Sequence, residues 1–573
     1  MQNIEIARHL EDIADLLEIQ GANPFRIRAY RNAARTVEDY PTQLHKLVAD
    51  GVDLTEIPTV GKDIAAYIAE LVGTGRAKLL DELTRTVPYS LIELTRLPGL
   101  GAKRVKKLWE ELGVETLDDL ERVALAGDIE ELEGFGKKTQ SRILEGVAAR
   151  RKQSERVKLS DADQLIEPLV DHLAGMREVQ RIEVAGSYRR RRETVGDVDL
   201  LVIAENPGPV MARFTGYGEV ARVEKSGDTR GTVVLRSGLK VDMRVVPPES
   251  YGAALQYFTG SKEHNVKIRK RAVARGLRVS EYGVFRVEDD SAVAGGDEEG
   301  VYEALGLPWM PPELREDRGE VEAADGRTLP ALITLDDIRG DLQMHSTWSD
   351  GKNTIEEMLD GCVARGYEYC AITDHSKALA MTGGLDAAKL RRQWEEIAEI
   401  AERRHELRLL RSMEVDILAD GRLDLEDELL AGLDVVLVSI HSKLDLPTSK
   451  QTRRIVRALE HPEVNILGHP TGRLINRREP MAFDLDEVLA CAAAQGVAVE
   501  LNAHPERLDL RDTQLMLARD LGVKVAIGTD AHRVGDLALM RYGVDQARRA
   551  WLEKADVLNC WPLDELMAFF EGG

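Results

Sequence analysis

EVAGSYRRRRETVGDVDLLVI, residues 183–203, is the stretch on which the reading of this chain turns. A short apolar run breaks at Gly186-Ser187, four arginines follow, and a second apolar run opens with Asp197-Val198-Asp199. Side chains alternate faces along an extended segment, so the two carboxylates point to the same side. A third, Asp242, lies in LKVDMRVV, which reads as a neighbouring strand. Three carboxylates on adjacent strands can hold two Mg²⁺ ions, one at an attacking oxygen and one at a triphosphate. An isolated Asp-x-Asp is an ordinary solvated strand edge. With Gly186-Ser187 upstream, where a small residue and a hydroxyl can meet a phosphate, and Asp242 downstream, the set points to nucleotidyl transfer. The same set would also fit a nucleotidyltransferase that modifies tRNA or antibiotics.

Upstream, residues 1–150 read as short helices with apolar residues at helical spacing, joined by Gly-containing turns. One turn recurs: Ile57-Pro-Thr-Val-Gly61, Leu97-Pro-Gly-Leu-Gly101 and Leu132-Glu-Gly-Phe-Gly136. This is the helix-hairpin-helix pattern, whose glycine turn lets backbone N–H groups approach a DNA phosphate. A single copy serves helix packing equally well. The second copy is followed by Lys103, Arg104, Lys106 and Lys107, and the third by Lys137 and Lys138. Those charges favour DNA, with Gly99, Gly101, Lys103, Gly134 and Gly136 as contacts. The first copy has Thr59 where a glycine is usual.

Downstream, a basic stretch at 150–158 precedes alternating strands and helices to about residue 248, and a second basic segment spans 262–278. Residues 317–334, charged and punctuated by Gly and Pro, read as a linker. From Leu335 onward short apolar strands alternate with helices, and the strands end in polar residues: ITDH, VSIH, LGHP, LNAH, GTDAH. That is the pattern of an α/β barrel whose site gathers at the strand C-termini. Eight of the twelve histidines fall here. His345, Asp350, His375, Glu414, His441, His469, Asp530 and His532 each close an expected strand or the loop after it. Mixed imidazole and carboxylate sets suit Zn²⁺ or Mn²⁺, and clustered ions suit phosphoester hydrolysis. His405, His461 and His504 match no ligand pattern and are read as structural or exposed.

The chain has 573 residues, 43% apolar and 31% charged, which is too long for one core. Its net charge of −23 argues against indiscriminate coating of nucleic acid. The acidity is concentrated late: about −6 in 1–150, about −3 in 151–335 and about −14 in 336–573. No apolar run could span a bilayer, and no secretory signal is legible. Four scattered cysteines fit a reducing cytoplasm. A cytoplasmic, nucleoid-associated monomer is expected.

GSYRRRRETVGDVDLL resembles the palm signature of the family X DNA polymerases, and YFTGSKEHNVKIRKRA resembles their thumb signature. With the hairpins, the resemblance covers about 1–315. It implies that Asp197, Asp199 and Asp242 bind Mg²⁺, with Asp242 accepting the primer hydroxyl proton. It implies that Gly186, Ser187 and Arg190 receive the triphosphate of a dNTP, where a guanidinium offsets charge on the leaving pyrophosphate. Tyr257, Phe258 and Gly260 would lie at the sugar, Asn265 at the incoming base and Arg269 at the template strand. Members with deoxyribose-phosphate lyase activity use a Schiff-base lysine, and the corresponding position here is Tyr67, with Asp63 and Asn32 also replacing basic residues. Tyrosine forms no imine, so the N-terminal domain is expected to bind DNA ends without lyase chemistry.

From 336 onward the motifs resemble the polymerase-and-histidinol-phosphatase (PHP) family, a distorted α/β barrel binding up to three ions. By that resemblance one ion takes His345, Glu414 and Asp530. Glu414 bridges to a second on His441 and His469, and a third takes Asp350, His375 and His532. The family opens Asp-Leu-His-x-His, but this chain has Asp341-Leu342-Gln343-Met344-His345, leaving Gln343 to coordinate through its amide oxygen.

The expected fold is therefore multidomain: an all-α helix-hairpin-helix region, an α+β nucleotidyltransferase palm and thumb, and a TIM-like α/β PHP barrel. The boundaries are 1–80 for the DNA-end-binding domain, 81–150 fingers, 151–248 palm, 249–316 thumb, 317–334 linker and 335–573 barrel. The expected function is gap filling on primer-template DNA with dNTPs and Mg²⁺, joined to a 3′-5′ exonuclease or phosphoesterase using Mn²⁺ or Zn²⁺. Two other readings compete. One is a small-molecule phosphatase of the histidinol-phosphate type, which the hairpins oppose. The other is a non-enzymatic DNA-end scaffold, which the ligand set opposes.

Overall fold

The computed structural model describes residues 3–38, 40, 44–49, 51–75, 78–95, 97, 99–153, 156–379 and 382–572, with the side chains at 4–5, 38, 46 and 148–153 outside that description. Pro98 of the second hairpin and part of the basic stretch 150–158 thus lie outside the described residues. Two compact units result: Met1–Ile182 with Ala204–Val245, and Glu183–Ile203 with Val246–Gly573. No helix among the described residues is long and apolar enough to cross a membrane, and the four cysteines are free thiols.

In the first unit, helices from Asn3–Gln20 to Lys137–Gln153 enclose a core of Ile, Leu and Val side chains on their inner faces. Gly61 and Gly101 cap the helices Lys62–Thr74 and Ala102–Leu112. Gly99 and Gly134 take the left-handed conformation, φ 83° and 88°, and Thr59 holds the matching position of the first hairpin at φ 68°. A residue with a Cβ is strained there, by roughly 1 kcal/mol. The first hairpin therefore keeps the turn geometry at a cost the other two avoid. The same unit carries three antiparallel strands, Val220–Ser226, Arg230–Leu235 and Lys240–Val245.

In the second unit, strand Asp197–Ala204 is followed by the helices Tyr251–Thr259 and Lys262–Ala274, which pack against a small antiparallel sheet. Residues 317–334, expected as a linker, contain a helix, Glu320–Gly326, whose Val321 and Ala324 join that core. Buried Glu320 meets Nδ1 of buried His264 at 2.7 Å. The periodicity of so short a helix is hidden among its charges.

From Gly340 the chain forms seven parallel strands in sequence order: Gly340–Met344, Tyr369–Ile372, Arg408–Asp416, Val435–Ser439, Ile466–Leu467, Ala498–Asn502 and Val525–Gly528. After the last strand the chain returns to the first. Met344 bridges Ala531, and His345 N donates to Ala531 O at 2.8 Å. Every residue of six of these strands is buried, as expected for parallel strands covered on both faces.

Candidate functional site

Strand Asp197–Ala204 alternates as the sequence requires: Asp197 is exposed and Asp199 half-buried, while Val198 and Leu200 point inward. Ala185 N donates to Asp199 O at 2.7 Å, which sets the Gly186-Ser187 turn beside that carboxylate. Gly186 has φ 68°, and a Cβ on it would lie 3.0 Å from Asp199 Oδ2. Asp242 lies on Lys240–Val245 opposite Thr232, whose hydroxyl meets its Oδ1 at 2.5 Å.

Arg190, expected at a triphosphate, is instead buried. Its Nε donates to Glu316 at 3.0 Å and its Nη1 to Thr259 O at 2.5 Å. Gly260, at φ 70°, leaves room for that guanidinium: a Cβ would stand 3.1 Å from Nη1. Arg189 is likewise held, by Glu298 at 2.8 and 3.0 Å. Asn265, expected at the base, is buried and works within the thumb. Its Nδ2 donates to Tyr257 O at 2.7 Å, and its Oδ1 accepts from Gln256 at 2.8 Å. Tyr257 and Phe258 meet edge to face, 5.1 Å between centroids.

The basic segment at 262–278 is half neutralised within the fold. Lys267 pairs with Asp317 and Glu322, Arg271 with Asp325 and Arg278 with Asp290. Lys262, Arg269 and Lys270 stay exposed, as do Lys103, Lys137 and Lys138 at the hairpins. Tyr67 is buried in the helical core, where burial pushes its phenol well above the ordinary range.

The barrel's strand ends bring eight expected ligands together. His345, Asp350, His375 and His532 offer ligand atoms within 4.8 Å of one another, as do His375, Glu414 and His441. His469 Nε2 reaches Glu414 at 2.9 Å, and His345 Nε2 reaches Asp530 at 3.1 Å. His345 thus stands with the Asp350 group as well as with Asp530, and His375 faces Glu414 at 3.0 Å as well as Asp350 at 3.7 Å. Imidazole nitrogens converge on buried carboxylates, while Nδ1 of His345 and of His469 is buried without a hydrogen-bond partner. This donor set fits divalent ions. Burial opposes charge on His441, but Glu414 and Asp416 outweigh it and push its pKa up to about 9. Burial opposes charge on His532 too, and Asp350 and Asp530 push it up to about 9. The carboxyl of Glu414, despite burial, is held well below its usual range by His375 and His441.

Four residues that sequence reasoning passed over complete the site. Asp416 holds His441 Nδ1 at 3.0 Å, turning Nε2 toward Glu414. Such outer carboxylates fix the ring and tautomer of a ligand. Asp374 accepts from Ser346 N and Oγ, Ser349 Oγ and Gln393, which braces the loop before Asp350. Asp374 stood next to His375 in TDH and Asp416 two residues after Glu414 in EVD, the one available signal. Glu500 is buried, and burial and Asp530 push its carboxyl well above the usual range. Gln343, expected to coordinate through its amide oxygen, is fully buried with its side-chain amide against Glu500. Asn502 donates to Asp530 at 3.1 Å. His504 lies outside both ligand groups.

Comparison with known proteins agrees with this layout. Family models match a helix-hairpin-helix domain at 1–77, a SAM-like helix-hairpin-helix tandem at 91–149, a DNA polymerase beta thumb at 254–316 and a PHP domain at 341–504. The chain is 39% identical over 573 residues, the full length of both proteins, to "DNA polymerase/3'-5' exonuclease PolX" of Bacillus subtilis (strain 168). It is 26% identical to DNA polymerase lambda of Rattus norvegicus over 344 residues, 55% of this chain and 56% of that one. A probable phosphatase of Syntrophotalea carbinolica matches at 28% over 229 residues, 38% of this chain and 90% of that protein. With full-length identity to a PolX protein and both polymerase and PHP segments in place, the chain belongs to the bacterial family X DNA polymerases that carry a C-terminal PHP domain.

Proposed function

We propose that this chain is a template-directed DNA polymerase that fills short gaps in DNA repair, and that its PHP barrel is a metal-dependent 3′-5′ exonuclease or phosphoesterase acting on the same DNA ends. The observation that carries the reading is the pairing of two separate acidic sites in one chain: Asp199 against the Gly186-Ser187 turn, and the His/carboxylate cluster at the barrel's strand ends.

In the polymerase site, Asp197, Asp199 and Asp242 would hold Mg²⁺, which supplies charge neutralisation for the primer 3′-oxygen and the triphosphate. Asp242 accepts the primer hydroxyl proton, and Thr232 orients its carboxylate. Ser187 and the backbone of its turn receive the triphosphate, and Tyr257 and Phe258 confine the sugar. DNA is held through phosphates by Lys103, Lys137 and Lys138 at the hairpins and by Arg269 on the thumb.

In the barrel, His345, Glu414, Asp530, His441, His469, Asp350, His375 and His532 would hold up to three ions of the Mn²⁺ or Zn²⁺ type, which supply the nucleophile and a positive clamp for the phosphoester. Asp416 and Asp374 keep those ligands oriented. The phosphatase naming of a relative that matches this chain over 90% of its own length favours a second substrate, a 3′-terminal phosphomonoester, for the same cluster.

The test is extension and degradation of a labelled primer on gapped DNA, with and without dNTPs, in Mg²⁺ and in Mn²⁺. Synthesis with dNTPs and shortening without them are expected. A protein that hydrolyses only small phosphomonoesters and never extends a primer would be a different enzyme.

A further inference from the structure

The turn read as the nucleotide site is fastened from the barrel. Arg191 has φ 55°, a left-handed conformation that disfavours a residue with a side chain. Such a conformation persists where its surroundings over-determine it. Here the surroundings are barrel side chains. Arg549 Nη1 donates to Arg190 O at 2.6 Å, and Gln546 Nε2 donates to Arg191 O at 2.9 Å, both from the helix Met540–Arg549. Arg473, in the loop after His469, donates to Glu193 at 2.7 Å. Two successive carbonyls of the turn and its acidic end thus terminate on the barrel.

Arg549 does more than meet one carbonyl. It is 2% exposed, and the same guanidinium donates to Glu316 at 3.0 Å and to Asp512 at 2.6 Å. Glu316 is also the carboxylate that holds the Arg190 side chain, and Arg192 stands 3.5 Å from it. Arg190 is therefore gripped twice, through its carbonyl directly and through its side chain by way of Glu316. A planar fork with five donors can reach three acceptors in fixed directions, which an ammonium group cannot. Buried ion pairs add little net stability against an apolar alternative. What this one supplies is geometry.

We propose that Arg549 is a positioning residue for nucleotide binding: from the PHP barrel it holds the 186–193 turn in the shape that receives the triphosphate. The proposal rests on the reading of that turn as the nucleotide site. It makes the polymerase's affinity for dNTP depend on a barrel side chain that touches neither substrate.

The experiment is steady-state single-nucleotide insertion by the full chain on gapped DNA, comparing Arg549→Gln, Arg549→Lys, Glu193→Gln and Ser187→Ala. Mn²⁺-dependent hydrolysis of thymidine 5′-monophosphate p-nitrophenyl ester reports that the barrel is intact. Arg549→Gln should raise the KM for dNTP about 10-fold with kcat within about twofold, because it loosens binding rather than chemistry. Arg549→Lys should lie between it and the parent, and hydrolysis should be unchanged. If Ser187→Ala raises KM and Arg549→Gln does not, the anchor is overturned and the nucleotide reading stands. If Ser187→Ala leaves KM alone, the nucleotide reading itself fails. Loss of kcat with an unchanged KM in Arg549→Gln also overturns the proposal. Should Arg549→Gln lose hydrolysis and so be misfolded, Glu193→Gln decides: its side chain is about one-third exposed, a KM rise of about threefold supports the anchor, and parent kinetics overturn it.

Discussion

A methyl group on Gly186 would lie 3.0 Å from Oδ2 of Asp199, and Gly186 holds φ 68°, so a side chain there is opposed by both contact and conformation. Gly186→Ala should therefore cut nucleotide addition at least about 100-fold, the scale of a small displacement of catalytic groups. Asp197→Ala and Asp242→Ala should abolish it. All three should keep metal-dependent degradation of DNA, because the barrel's ligands are separate. Synthesis by either aspartate variant above a few per cent of the parent rate would remove the palm assignment.

Tyr67 is buried and carries no amine. Borohydride should not trap the protein on a 5′-deoxyribose-phosphate end through residues 1–80. Peptide mapping of any trapped species checks this, and an adduct on Lys62 or Lys78 would show that another lysine serves.

Exposed Lys103, Lys137 and Lys138 should carry DNA binding at the hairpins. Replacing all three with alanine should weaken binding to gapped DNA equally for every sequence and lower the salt slope by about 2 to 3, one unit per phosphate contact. Lys106 and Lys107 lie within 3.4 and 2.8 Å of backbone carbonyls, so their removal should matter less. Fluorescence anisotropy against salt measures both, and a sequence-dependent loss would contradict phosphate-only contact.

Glu414 faces His375, His441 and His469 within 3.3 Å, so Glu414→Ala and His375→Ala should abolish hydrolysis. Asp416→Ala should leave the ligands in place but weaken metal affinity about 10- to 100-fold, the usual effect of removing an outer carboxylate. Mn²⁺ should support hydrolysis best, since Gln343 supplies no imidazole, and Gln343→His should shift preference toward Zn²⁺. Full activity of the parent with Zn²⁺ alone would contradict this.

With the ions chelated, His441 and His532 gain protons on folding, their pKa being pushed up to about 9 against an ordinary 6.5. A raised folded pKa stabilises fully below the unfolded value and fades as pH rises through the folded one. The chelated protein should thus lose thermal stability between pH 6.5 and about 9. Metal binding displaces those protons and unfolded imidazoles are mostly neutral above pH 6.5, so the stability of metal-loaded protein should rise slightly and then level off over the same window. Melting curves in EDTA and in Mn²⁺ over that range check the divergence, and parallel slopes would contradict the assignment.

Sequence alone determined the parts whose signal is local. Alternation placed Asp197 and Asp199 on one face of a strand, glycine turns marked the hairpins, and terminal histidines marked the barrel's strand ends. Periodicity and turn chemistry depend on neighbours within a few residues, so one sequence suffices to read them. Tertiary structure alone decided how distant charges pair. Lys267 and Arg271 look like DNA contacts until residues 317–325 fold against them, and Arg190 looks free until Glu316 reaches it. Glu500 reads as one more strand position until Gln343 turns its amide to it. Arg549 sits 359 residues from the carbonyl it holds. Which buried charge meets which partner depends on packing over the whole chain, and no short window of sequence records it.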